Sequence, residues 1–146
     1  MKKTYVITIS EFFPSYHKKA GEKTGFAKSI SDQIKIHTIR ESYELWAKRA
    51  EKINKGEARL SVRVWTGKPY NSKQREVFSF ERISVQKLIL DDWLYSCDID
   101  GKRFGFNQDC IAENDGLSPD DFEDWFKNSI NEKPKAIIHF TNFRYQ

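Results

Sequence analysis

The segment KIHTIR, residues 35–40, places three side chains capable of chemistry close together: Lys35, Thr38 and Arg40. Amide hydrolysis needs a nucleophile, a group that accepts its proton and donors for the developing oxyanion. A threonine hydroxyl could attack, a desolvated lysine could accept the proton, and an arginine could bind a carbonyl or phosphate oxygen. The same three side chains could also hold a ligand without reacting with it.

These side chains can meet only if the chain turns between them, because side chains of an extended strand alternate between its two faces. We therefore predict a helix that ends near Gln33, a turn through residues 35–37 and a strand that opens at Thr38. Thr38 and Arg40 would then share one face, with Lys35 leaning toward them. A purely structural alternative stays open, in which Arg40 pairs with a neighbouring glutamate at the helix junction. His37 is predicted to be a packed or solvent-facing histidine.

The remaining elements follow from hydrophobic periodicity and turn residues. The alternation in residues 4–10 predicts a first strand, and residues 11–25 predict a long, basic surface loop. Further predictions are an amphipathic helix from Tyr43 to Gly56, strands within 58–65, 76–85, 93–106 and 135–145, and a capped helix from Ser118 to Ile130. Several strands with about three helices, without regular alternation, predict an α+β fold built on a small, mixed, largely antiparallel β-barrel.

A second group of candidate binding residues follows the strand at 58–65. Its alternation predicts that Arg63 and Trp65 face outward, and the following turn carries Lys68, Tyr70 and Lys73. Aromatic rings stack on bases and guanidinium groups pair with phosphates, so this surface could receive a nucleotide. A strand face covered by a loop is the structural alternative.

Length and composition limit the classes of protein to consider. The 146 residues predict a single domain over 1–146, and residues 1–89 carry 19 basic but only 9 acidic side chains. Such asymmetry suits a polyanionic partner such as RNA, although a lysine-rich surface alone would also produce it. No apolar run is long enough for a membrane helix, so we expect a cytoplasmic protein without a membrane partner. The two cysteines lack zinc-site spacing, and no metal or cofactor is predicted.

The segment KIHTIR resembles the Lys-x-x-Thr-x-Arg signature of ASCH domains, which belong to the PUA-like superfamily of small β-barrels. The segments GEARLSVRVW, IAENDGLSPDDFEDWF and KAIIHFTNF also resemble later parts of that family, in the same order. The resemblance covers most of residues 26–143. It implies a PUA-like barrel with flanking helices and a cleft for RNA or a nucleoside.

The resemblance also implies candidate catalytic residues. Some ASCH proteins are small amidohydrolases that remove the acetyl group from acetylated cytidine with a lysine, a threonine and a glutamate. Lys35 and Thr38 match the first two. The register of the Asp-Gly pair puts Asp115 at the third position, whereas Glu113 has the matching side chain two residues earlier. A carboxylate beside Lys35 would favour the charged amine and burial the neutral amine, and both states stay open.

Three functions are therefore considered. The first is an RNA- or modified-nucleoside-binding module with a basic cleft. Its predicted ligand-binding residues are Lys35, Thr38, Arg40, Arg63, Trp65 and Tyr70, and the basic loops would contact phosphates through Lys18, Lys19, Lys68 and Lys73. The second is an amidohydrolase acting on an acylated nucleoside. The third is a non-catalytic interaction protein that keeps the fold as a scaffold.

Overall fold

Two β-sheets and four helices make up the structure, a computed structural model that describes residues 2–91 and 95–146. The smaller sheet has the order β1–β3–β4, with β1 at Lys3–Thr8, β3 at Ala58–Trp65 and β4 at Gln74–Phe80. Strands β1 and β3 run parallel, whereas β3 and β4 run antiparallel. The pairing of β3 with β4 shifts between Val62 and Arg63, which is where a bulge interrupts the ladder.

The larger sheet is antiparallel throughout and has the order β2–β8–β5–β6–β7. Its strands are β2 at His37–Glu41, β5 at Ser84–Ile89, β6 at Ser96–Ile99, β7 at Lys102–Gly105 and β8 at Lys135–His139. All five residues of β8 are buried, because this strand lies between β2 and β5 and is covered on both faces.

The helices connect and cover the sheets. They are α1 at Phe26–Ser31, α2 at Tyr43–Asn54, α3 at Ile111–Asn114 and α4 at Pro119–Phe126. Helix α2 packs on strands of both sheets and buries Trp46, Ala50 and Ile53, the residues that recur at helical spacing. Helix α4 begins as its sequence predicts, since the Ser118 hydroxyl accepts a hydrogen bond from the Asp121 amide.

The mixed α+β class and the excess of antiparallel pairs confirm part of the predicted architecture. No closed barrel is detected among residues 2–91 and 95–146, and β1 pairs with β3 in parallel through a crossover that contains α1, β2 and α2. The four helices include the one-turn α3, which lacks a periodic signal because it is too short. No helix in the described parts of the chain is long and apolar enough to cross a membrane.

Several predicted bounds were wrong. Helix α1 ends at Ser31 and β2 opens at His37, so the connection is longer than expected. The segment 76–85 contains the end of β4 and the start of β5, and residues 93 and 94 of another predicted strand lie outside the described residues. Strand β8 stops at His139, after which the chain turns back and buries Tyr145 in the core.

Residues 11–25 form an ordered structure that packs on α4. A bridge pairs Phe12 with Lys23, and the ring of Phe13 meets that of Trp125 at 5.6 Å between centroids. His17 is buried and contacts the Asp121 carbonyl oxygen at 3.0 Å. The prediction of a surface loop missed this packing, because an irregular backbone carries no periodicity that would mark its buried side.

Candidate functional site

A small polar cavity lies where the α1–β2 connection, β2 and the end of α3 meet. Its volume is about 40 Å³, close to the space that a water molecule or two would fill. Four of the predicted site residues, Lys35, Thr38, Arg40 and Asp115, line it. The rest of its wall consists of Ile9, Ser10, Phe26, Ile39, Trp125 and Phe126.

A buried ion pair forms one side of the cavity. Lys35 Nζ donates to the Asp115 carbonyl oxygen at 2.7 Å and to Asp115 Oδ1 at 3.0 Å, and the lysine side chain is only 2% exposed. The amine also lies 4.3 Å from the centroid of the Phe26 ring, which favours its charged form.

For each member of this ion pair, burial and the oppositely charged partner shift the pKa in opposite directions. Burial lowers the pKa of Lys35, and the Asp115 carboxylate opposes that effect. Burial would raise the pKa of Asp115, but Lys35 and His37 together hold it below the usual value for an aspartate. Asp115 is therefore an ionised carboxylate near neutral pH, and its partner is a lysine whose proton is easier to remove than usual.

The position of Asp115 depends on how α3 ends. Asp115 follows the last residue of the helix, and the amide of Ile36 donates to the Asn114 carbonyl oxygen at 2.8 Å, which fixes the α1–β2 connection against it. Gly116 then takes a left-handed conformation with φ +84°. A Cβ atom at Gly116 would lie 3.3 Å from both Cβ and Cδ of Lys35, so the glycine also makes room for the lysine stem.

Gly116→Ala is expected to destabilise the protein more than a matched glycine substitution. Gly56 has a similar φ of +82° but no atom within 4 Å of a built Cβ, so Gly56→Ala measures left-handed strain alone, about 1–2 kcal/mol. Gly116→Ala adds displacement of Lys35, about a further 1 kcal/mol. Urea denaturation of both variants measures the difference, and equal losses would contradict the close packing of Gly116 on Lys35.

Thr38 and Arg40 form the opposite side of the cavity. Arg40 Nη1 donates to Thr38 Oγ1 at 3.0 Å, and Nη2 donates to the Thr8 carbonyl oxygen at 2.6 Å. The arginine therefore bridges β2 to β1 and does not pair with Glu41 or Glu44 through these contacts. A guanidinium donor on the threonine oxygen would stabilise negative charge that develops there.

A larger cleft adjoins this cavity, and Ile9 and Ser10 line both. Its volume is about 560 Å³, within the range of ligand pockets. The rings of Trp65 and Tyr70 contact each other in its wall with centroids 5.1 Å apart and planes tilted by 49°, and Tyr70 is 85% exposed. The remaining lining residues are Thr8, Glu11, Phe12, Phe13, Pro14, Gly67, Lys68 and Pro69.

Three predicted site residues lie outside both cavities. Arg63 donates through Nε to Ser61 Oγ at 2.9 Å and through Nη1 to Gln74 at 3.4 Å, on the outer face of the small sheet. Lys73 is exposed in the turn before β4, and Glu113 is exposed on α3. Of the two acidic candidates, Asp115 is therefore the one that contacts Lys35.

The sequence did not indicate the buried residues that are hydrogen-bonded to Asp115, directly or through another side chain, on the side away from the cavity. His37 Nδ1 lies 3.2 Å from Asp115 Oδ1, and His37 Nε2 lies 2.7 Å from the Tyr145 hydroxyl oxygen. Of the two predicted alternatives for His37, packed or solvent-facing, the structure shows the packed one, with a hydrogen bond to Asp115 in addition. No local pattern could have indicated the contact with Tyr145, because Tyr145 is 108 residues away from His37.

The basic loop at 11–25 contributes less free charge than its composition suggests. Lys19 Nζ lies 2.6 Å from an Asp121 carboxylate oxygen and Lys18 Nζ lies 3.8 Å from the other. Asp121 thus holds this loop on α4 through its carboxylate, while its backbone amide takes part in the N-terminal cap of the helix.

Comparisons with protein-family models, curated proteins and solved structures give no match for this chain. Within residues 2–91 and 95–146, no group of three or more His, Cys, Asp or Glu side chains is arranged to hold a metal ion.

Proposed function

We propose that this protein binds a nucleoside, either free or as an unpaired base of RNA, in the large cleft with its polar edge directed at the small cavity. The observation that carries this proposal is that an aromatic cleft shares the wall residues Ile9 and Ser10 with a cavity lined by Lys35, Thr38, Arg40 and Asp115. Ligand pockets commonly combine apolar walls with a few convergent polar groups in this way.

The aromatic wall supports a planar ligand. Trp65 and Tyr70 both line the cleft, and a base that stacks on such a ring gains about 1–3 kcal/mol. Phe12, half exposed, also lines the cleft and adds to its apolar wall.

The polar cavity supports recognition of a base edge or of a group attached to it. Arg40 supplies only donors, the Thr38 hydroxyl can donate or accept, and the Asp115 carboxylate accepts. A cavity of about 40 Å³ is too small for a ring but large enough for an exocyclic substituent of a few atoms.

The distribution of charge favours a small ligand over a long polyanion. Lys68 lies in the cleft wall, but Arg63 and Lys73 lie outside it, and Lys18 and Lys19 pair with Asp121. Few unpaired cations therefore remain near the cleft to follow a phosphate backbone. We expect weak salt dependence, typical of one or two phosphate contacts.

The family assignment belongs to the same proposal. The arrangement of Lys35, Thr38 and Arg40 around one cavity is what an ASCH domain of the PUA-like superfamily would require of the KIHTIR segment.

Closure of the two sheets into a barrel is also proposed here. It is supported by the Arg40 bridge from β2 to the Thr8 carbonyl on β1 and by the stacking of Phe80 on Phe140, 4.7 Å between centroids.

An amidohydrolase that acts on an acetylated cytidine is the second candidate. It is favoured by the shared cavity of Lys35, Thr38 and Asp115, together with the Arg40 donor on the threonine oxygen. A neutral Lys35, formed when its ammonium gives up a proton to water, would accept the hydroxyl proton of Thr38 and pass it to the departing amine of cytidine, and its lowered pKa supports that role. Attack on the amide carbonyl would release cytidine and, after hydrolysis of the ester on Thr38, acetate.

An amide NMR titration tests the two candidates together. Cytidine, acetylcytidine and a short single-stranded RNA are added separately to the labelled protein. Binding is expected to shift amides of residues 8–14, 35–40 and 65–70, and free acetate from acetylcytidine would favour the hydrolase. The proposal fails if none of the three ligands shifts these amides.

Tyr70→Ala is expected to weaken binding of the ligand found in that titration by roughly 5- to 150-fold, the range given by loss of one base–aromatic stack. Tyr95→Ala is the matched control, because Tyr95 is also exposed and has positive φ but lines neither cavity of the proposed site. Isothermal titration calorimetry on both variants measures the change. Equal affinity of the Tyr70 variant and the wild type would place the ligand elsewhere.

A further inference from the structure

A row of buried side chains extends from the ion pair toward the end of the chain. Asp115 Oδ1 contacts His37 Nδ1 at 3.2 Å, and His37 Nε2 contacts the Tyr145 hydroxyl oxygen at 2.7 Å. Asn114 Nδ2 donates to that same hydroxyl oxygen at 3.0 Å. Asp115, His37 and Tyr145 are all buried, so the row is shielded from water.

The donors and acceptors in this row agree with one arrangement of protons. The Asn114 amide nitrogen can only donate, so the Tyr145 hydroxyl accepts from it and directs its own hydrogen at His37 Nε2. The ring hydrogen of neutral His37 then sits on Nδ1 and is donated to Asp115. Asp115 Oδ1 thereby accepts from both His37 and Lys35.

The opposite arrangement is unfavourable for an electrostatic reason. If the ring hydrogen were on Nε2, the lone pair of Nδ1 would face the ionised carboxylate of Asp115 at 3.2 Å. Two acceptors would then oppose each other in a buried environment, where an unpaired polar group is costly. The Asp115 carboxylate and the hydroxyl of Tyr145 therefore favour the same tautomer of His37, with the hydrogen on Nδ1.

We propose that His37 and Tyr145 are positioning residues, which keep Asp115 ionised and oriented toward Lys35 by fixing the Nδ1–H tautomer of the histidine. The effect of this device on ligand binding rests on the proposed function. The arrangement of protons itself does not, and it can be measured in the protein without ligand.

The groups that face this row come from several elements. Lys35 approaches Asp115 from the α1–β2 connection and Arg40 from β2, while His139 of β8 meets the His37 ring at 5.5 Å between centroids. Burial lowers the pKa of His37, which agrees with a neutral ring. A charged His37 beside Lys35 and Arg40 would place three cations around one carboxylate.

The first test is the tautomer of His37 in the wild-type protein, from nitrogen shifts and couplings of the imidazole ring near neutral pH. The proposal expects a neutral ring with hydrogen on Nδ1. A charged ring, or hydrogen on Nε2, would overturn it. This measurement needs no variant, so it remains decisive if a substitution prevents folding.

The second test is Tyr145→Phe, which removes the hydroxyl and keeps the ring that packs on Phe104 and Phe143. Loss of one neutral hydrogen bond is expected to change the tautomer ratio of His37 roughly five-fold toward Nε2–H. The carboxyl carbon of Asp115 is expected to titrate at higher pH than in the wild type. Tyr5→Phe is the matched control, because Tyr5 is also buried but lies on β1 outside this row.

An unchanged tautomer ratio and an unchanged Asp115 titration in Tyr145→Phe would overturn the proposal. A purely structural role of the hydroxyl would lower the stability and leave both readouts unmoved. Ligand titration of the same variant is then interpreted separately. If both readouts move as expected but no nucleoside binds even the wild type, the proposed function fails and the positioning role stands.

Discussion

Lys35→Met is expected to lower the free energy of unfolding by roughly 3–5 kcal/mol, because it leaves the buried carboxylate of Asp115 without its cation. Methionine has a similar length and an apolar stem, so the loss reports the charge and the two hydrogen bonds to Asp115 more than lost packing. The cation–π contact with Phe26 is lost as well. Urea denaturation near neutral pH measures the change, provided that the variant still folds.

Lys28→Met is the matched control for this prediction. Lys28 also donates to an aspartate, Asp32, at 2.8 Å, but both side chains are exposed, so solvent screening should leave only a small loss of stability. Lys35→Met with Asp115→Asn completes the comparison, because removing the buried negative charge as well should recover part of the loss. Similar losses for Lys28→Met and Lys35→Met would contradict a buried ion pair at the site.

Acidification is expected to destabilise the protein strongly below pH 6.5. Burial lowers the pKa of His139 to about 3 and also lowers that of His37, whereas both titrate near 6.5 in the unfolded chain. The unfolded state therefore binds more protons in this window, and stability falls as the pH falls through 6.5. His139 contributes about 1.4 kcal/mol per pH unit below 6.5, so about 3 kcal/mol is lost by about pH 4.5, and the lowered pKa of His37 adds to this loss.

The hydrogen bonds of His139 give the physical reason for its low pKa. Its Nε2 contacts Gln86 Oε1 at 2.9 Å, an oxygen that can only accept, so Nε2 carries the ring hydrogen. Its Nδ1 is buried and has no hydrogen-bond partner among the residues that the structure describes. A second proton on Nδ1 would therefore enter the interior without an acceptor and without water, which costs free energy.

Urea denaturation at intervals between pH 7.5 and about 4.5 tests the acid dependence. His139→Gln, whose side-chain amide nitrogen lies close to the Nε2 position and can still donate to Gln86, should reduce the slope below pH 6.5, because His139 no longer titrates. Carbon-bound ring protons of His139 in the native wild type should not titrate above about pH 4. Stability that stays constant over this range, or a ring midpoint near 6.5, would show that His139 is accessible to protons.

The elements whose side chains face one apolar core could be predicted from local pattern. Strand β3 alternates as expected, with Leu60, Val62 and Val64 buried, because a period of two follows from the pleat itself. Helix α2 likewise buries the residues that recur every three or four positions. The Ser118 cap of α4 was also predictable, since capping depends on residues only three apart.

Elements without periodicity were misjudged or missed. Residues 11–25 have no regular spacing, and their burial on α4 depends on contacts such as Lys19 with Asp121, 102 residues apart. The end of the chain was expected to continue as a strand. Instead, the backbone N–H of Tyr145 donates to Gln86 Oε1, and the Tyr145 ring packs in the core beside His139. Such choices are decided by which distant surface is available, and no local window contains that information.

Sequence by itself determined that Lys35, Thr38 and Arg40 would meet at a junction between a helix and a strand, because their spacing and the turn between them are local properties. That Asp115, and not Glu113, joins them depends on the tertiary structure. The end of α3 and Gly116 direct the Asp115 carboxylate inward, whereas Glu113 is exposed to water. The contacts from Asp115 to His37 and from His37 to Tyr145 likewise exist only in the folded chain. Buried charge needs partners on every side, and in a folded chain those partners come from whichever segments the packing of the core brings together.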